Sequence, residues 1–257
     1  MGERRLDMSE TQQIRLGAWA GIANLLLSLA VLLTTRHSWK FWPVRGDSDA
    51  EYAAWFHHYS AGAFAQTFST NIGALLGIWF AFSLTRALRL PRDSLLSFVI
   101  QTSATIIVPG MIVVNAMFSV TSTPQFIDNP SSWPLLRAFM EACLHTFYGL
   151  LSVFAFFLLA AAVAIHRSRE LPAWTGWSAL VAGLVTLAGS AISLVRSGWL
   201  APLSLPSVTP FFLFWLWVAA VSVVMLRLPT RDRVPQLGSA EGTVDKMNEN
   251  SAGSARR

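Results

Sequence analysis

Apolar residues run through this chain in long blocks rather than alternating with charges. Six blocks stand out: about Ile14 to Thr34, Ala61 to Leu84, Leu95 to Val120, Leu135 to Ile165, Trp174 to Val195 and Pro210 to Leu226. About 20 apolar residues in a helix cross a hydrocarbon core some 30 Å thick. The pattern therefore predicts an all-α, polytopic transmembrane bundle of six spanning helices over residues 14–228. Polar, disordered cytoplasmic segments are expected at 1–13 and 229–257; the tail after Pro229 is rich in Gly, Ser, Glu and Asn, with little to bury. The first block exceeds the roughly 7–15 apolar residues of a signal-peptide core and has no clear small-residue cleavage site, so it reads as a span.

Composition agrees. Hydrophobic residues make up 53% of the 257 and charged residues 13%, against about 25% charged in soluble domains. The net charge of +5 does not imply nucleic acid, because the basic residues flank apolar blocks instead of forming one stripe or arm. One side of the blocks carries Arg4, Arg5, Arg15, Arg86, Arg89, Arg92, Arg167, Arg169, Arg227, Arg231 and Arg233. The other carries Arg36, Lys40, Arg45, Arg137 and Arg196. The richer side is expected to face the cytoplasm of a cell-membrane protein, with both termini inside.

The connection from about 36 to 60 holds Trp39, Phe41, Trp42, Tyr52, Trp55, Phe56 and Tyr59, rings suited to the headgroup layer. Ser48 and Glu51 have capping-box spacing, which predicts a short interfacial helix starting there and leading into the second span. Small residues supply packing seams: Gly17, Gly21, Asn24 and Ser28 in the first span, Gly73 and Gly77 in the second, and Gly183, Thr186, Ser190 and Ser193 in the fifth. Such faces also allow a homo-oligomer or a membrane partner beyond the bilayer itself. Pro109 takes one backbone bond from the third helix and presses on the Thr105 carbonyl, which predicts a kink. The single cysteine, Cys143, reads as a small buried hydrophobe.

The fourth span carries the strongest polar signal. Arg137, Glu141, His145, Tyr148 and Ser152, spaced by 4, 4, 3 and 4 residues, fall on one helical face. Ionisable groups in a span are costly against lipid and are expected to face the bundle or water. A carboxylate next to an imidazole favours the imidazolium and would form a proton relay. His57, His58, Gln66, Asn115 and Arg196 fall in or near the same outer half of their helices, and with the stripe they would line an outward-facing vestibule. Zinc-hydrolase, nucleophile-elbow and phosphate-loop motifs are absent, and the histidines form no convincing axial haem pair. No cofactor or metal is expected.

The stretch His166 to Leu184, HRSRELPAWTGWSALVAGL, joins a basic loop to Leu171-Pro172, Trp174, Gly176, Trp177 and a helix rich in Ala and Gly. It resembles a pattern of bacterial six-helix membrane proteins of unknown function, as do the small-residue first span and the aromatic sixth. That resemblance implies location and topology and carries over no site residue. The expectation is a small-solute or ion/proton transport component. Its alternative is a non-catalytic sensory, assembly or partner-binding subunit, and a membrane-embedded haem or redox enzyme ranks behind both.

Overall fold

The computed structural model describes residues 8–40, 48–191 and 205–229, without the side chains of 31, 32, 34–40, 59–66 and 205–208. It is all-helical among these residues. The elements are α1 (Glu10–Lys40), α2 (Asp49–Ala87), α3 (Leu95–Thr121), α4 (Pro124–Ile127), a 3₁₀ turn (Pro130–Ser132), α5 (Trp133–Ser168), α6 (Ala173–Ser190) and α7 (Leu205–Leu226). Four stretches are long and apolar enough to cross a membrane by length and composition: Thr67–Ala87, Leu95–Thr121, Pro130–Ser168 and Thr209–Leu226. The helix α1 is diluted by Gln12, Gln13, Arg15 and Asn24, and α6 is 18 residues long with Trp, Thr, Ser and Gly among its apolar positions.

The six long helices pack as a closed ring, in the order α1, α2, α3, α5, α6, α7 and back to α1. The seams are those of close backbone approach. A Cβ on Gly17 would strike Ser83 of α2, and one on Gly21 would strike Ser222 of α7. Asn24 Nδ2 donates to Gly73 O at 2.8 Å, tying α1 to α2. A Cβ on Gly110 would run into Leu150, which marks the α3–α5 seam, and Gly183 sits against Leu158 and Leu159 in the α5–α6 seam. Ser193 of the expected α6 seam lies outside the described residues. Gly77 makes no such contact and borders a void at the centre.

Neighbours run antiparallel. Ser83 Oγ, near the end of α2, donates to Gln13 O at the start of α1 (2.9 Å). Arg89 Nε, just after α2, pairs with Glu170 Oε1, just after α5 (3.3 Å), so these two helices, separated in the ring by α3, end on the same side. Trp217 Nε1 of α7 donates to Thr175 O near the start of α6 (2.9 Å). One end of the ring thus gathers Arg15, Arg86, Arg89, Arg92, Arg167, Arg169 and Arg227, all exposed. At the opposite end stand Asp49, Glu51, Asp128 and Glu141 together with Arg137.

The capping box forms as its spacing predicts: Ser48 N donates to Glu51 Oε2 (2.6 Å) and Glu51 N to Ser48 Oγ (3.3 Å). The helix it starts is not short. It continues as the 39 residues of α2, about 58 Å at about 1.5 Å per residue, roughly twice a hydrocarbon core. Tyr52, Trp55 and Phe56 are buried rather than interfacial. Phe118 of α3 closes on Trp55 and Phe56, at ring distances of 6.2 and 5.6 Å. The N-terminal part of α2, with α4 and the start of α5, forms a cap on this end. Phe41, Trp42 and Arg45 lie outside the described residues, as do the side chains of Trp39 and Tyr59. α3 runs unbroken through Pro109.

Candidate functional site

The stripe expected on α5 divides once the ring is closed. Tyr148 is fully buried, with none of its surface exposed. Glu141, Arg137 and Ser152 are half-buried, and His145 is exposed on the outward row that also holds Ala138, Phe156 and Val163. The reason is angular. The five residues span a flank of α5, between the row that carries Leu159 and His166 onto α6 and the side turned away from the ring. A modest rotation about the helix axis decides which of them is covered.

Arg137 organises the polar groups at this end. Its Nε donates to Glu141 Oε1 at 3.2 Å, within α5. Its Nη1 donates to Asp49 Oδ1 at 3.4 Å, across to the first turn of α2, and its guanidinium lies 5.8 Å from the centre of the Tyr52 ring. One cation therefore holds two carboxylates and an aromatic face. Asp49 escaped sequence reasoning because it is 88 positions from Arg137; the only signal was its place beside Ser48, as a first-turn acid of a capped helix. Each pair of this kind, still about a third exposed, is worth on the order of 1 kcal/mol. At the capping box beside it, hydrogen bonds from the Ser48 backbone and hydroxyl hold the Glu51 carboxyl below the ordinary range of a glutamate.

Asn115 is buried in a different interface. Its Nδ2 donates to Asn71 Oδ1 of α2 at 2.7 Å, and one turn on, Ser119 Oγ donates to Thr67 Oγ1 at 3.2 Å. These pairs form a polar ladder between α2 and α3, away from the Arg137 group. Asn71 was legible only as an amide inside an apolar block. His57 and His58 are exposed on α2, opposite the buried Tyr52–Phe56 face. Arg196 lies outside the described residues, and so does the side chain of Gln66. Of the nine candidates the structure unites Arg137 with Glu141, and it sets Asn115 apart from them.

The middle of the ring holds a cavity of about 30 Å³ between α2, α3, α5 and α7. Phe80, Phe154, Phe157, Phe211, Phe214 and Trp215 supply rings to its wall, and Thr70 is the one hydroxyl side chain among its lining residues. The volume is enough for one water, and the lining is mostly apolar. The rings interlock: Phe154 and Phe214 meet edge-on at 4.6 Å, Phe157 and Trp217 at 6.1 Å, Phe80 and Trp217 at 6.2 Å. Trp215 Nε1 is buried without a hydrogen-bond partner among the described residues.

Cys143 is buried, its Sγ 3.5 Å from Val114 O. Among the described residues no group of three or more His, Cys, Asp or Glu is placed to hold a metal ion. No family model, curated protein or solved structure matches the chain.

Proposed function

We propose that this is a cell-membrane protein of six spans with both termini in the cytoplasm, acting as a non-conducting partner-binding or assembly subunit through its outer cap. For six spans, the support is that α1 and α6 take full places in the ring and run antiparallel to their neighbours. The sidedness draws on the arginine-rich end, which the positive-inside rule puts in the cytoplasm. The cap of α2, α4 and α5 then faces out.

The observation that carries the functional reading is the aromatic filling of the ring. A conducting path through a bundle needs polar groups along its length to replace ion hydration, whereas the centre here is lined by interlocked rings around a small, mostly apolar void. What faces water at the outer end is a folded surface with Glu51, His57 and His58 on its exposed side. The test is flux. Purified protein in liposomes loaded with a pH-sensitive dye is expected to leave proton and cation permeability at the level of protein-free liposomes. A protein-dependent flux would sink the reading.

A second reading, a small-solute or proton transport component, draws on the exposed His145 one turn from the half-buried Glu141. It expects a flux that Glu141→Gln and His145→Ala each abolish.

A further inference from the structure

The arginine-rich end is built more specifically than sidedness alone requires. α2 and α5 both close on an arginine in the left-handed region, Arg89 at φ 52° and Arg169 at φ 56°. Glycine commonly occupies such helix ends because it has no Cβ to strain. Here two arginines accept the strain, and such outliers gather where a side chain serves a site. The Arg89–Glu170 pair, at 3.3 Å, brings the two loops together. Arg86, Arg92, Arg167 and Arg169 stand exposed in the same two helix ends and loops, where Glu170 is already engaged by Arg89 and Asp93 is the other carboxylate.

Directly beside these loops, the first turns of α6 expose Trp174 and Trp177, 51% and 60% accessible. The His166 ring meets Trp177 edge-on at 5.0 Å. It rests over Gly176, where a Cβ would come within 2.8 Å of His166 Nε2. Further along α6, Val181 and Leu184 face outward. The order along the bundle is therefore guanidinium groups, then indole rings at headgroup depth, then bare aliphatic surface. That sequence of chemistries matches a phospholipid from phosphate to acyl chain. Guanidinium forks fit phosphate oxygens, and the surplus of arginine favours a lipid with net negative charge.

We propose that the loops after α2 and α5, with the start of α6, form a binding site for an anionic phospholipid. The site rests on the six-span reading for its depth in the bilayer and is independent of the partner-binding role. The test uses the full chain purified in detergent, following its thermal midpoint with added phosphatidylglycerol, phosphatidylcholine or inorganic phosphate. Phosphatidylglycerol is expected to raise the midpoint, less so at high salt, while the other two leave it in place. R92Q and R167Q together should weaken the apparent affinity, about fivefold for each arginine removed. R92K with R167K should restore most of it, and R169N, which keeps a residue tolerant of the left-handed backbone, should weaken it once more.

The proposal falls if phosphatidylcholine works as well, if phosphate alone reproduces the shift, or if the double glutamine variant responds like the parent. A chain that stays monodisperse without detergent would instead overturn the six-span reading, so the two failures are told apart.

Discussion

Asn24 shows how one polar side chain becomes part of the packing. It is 1% exposed and bonds the Gly73 carbonyl, at a point where any side chain on Gly73 would meet Asn24 Oδ1. Buried hydrogen bonds between membrane helices average about 0.6 kcal/mol and reach about 1.7. Asn24→Ala is expected to lower stability by about that range, read from unfolding of the detergent-solubilised protein; an unchanged midpoint would mean the bond adds nothing. Asn24 and Gly17 were legible in the sequence as a small-residue seam. The burial of Tyr148 against the exposure of His145 was not, although only three residues separate them. Periodicity groups side chains on a face, and the neighbouring helices then decide which part of that face is covered.

Among the elements, α2 best separates local from distant causes. Its start is written locally: Ser48 and Glu51 satisfy each other's backbone N–H groups, and the helix begins at Asp49 as their spacing implies. Ser48→Ala should cost about 1 kcal/mol. The Glu51 pKa is lowered in the fold, first by the backbone hydrogen bond from Ser48. A lowered folded value means that the contribution is complete at neutral pH and is lost as pH falls through that value. The protection of first-turn amides of α2, taken relative to the intrinsic exchange rate at each pH, is therefore expected to fall in acid, and Glu51→Gln should remove that pH dependence. What lay beyond local reading was the length of the element. An amphipathic stretch followed by an apolar one reads as two helices, and contacts from α3, α4 and α5 are what bury Tyr52, Trp55 and Phe56 and give the first stretch its place.

For the whole molecule, the ring and its aromatic centre depend on α5 and α7 meeting across the middle. Phe154 is 1% exposed and lies edge-on to both Phe211 and Phe214. Truncating such a ring costs about 3–5 kcal/mol through lost contacts and the cavity left behind. Phe154→Ala should therefore destabilise the protein more than Asn24→Ala and Ser48→Ala combined, in the same unfolding assay. An equal or smaller loss would mean that the centre is loosely filled. The two ends of the ring differ in charge because antiparallel neighbours bring alternate connections together, so arginines far apart in sequence share one end.

The sequence by itself determined that the chain is helical, where the helices carry their caps and small-residue seams, and that positive charge collects on alternate connections. Each of these follows from interactions within a few residues, or from segment length set against the thickness of a bilayer. The tertiary structure alone decided that Arg137 reaches Asp49, that Asn115 pairs with Asn71, that His145 turns outward, and that aromatic rings fill the centre. Those outcomes depend on how each helix is rotated against its neighbours, and that rotation is settled by side chains dozens of positions away.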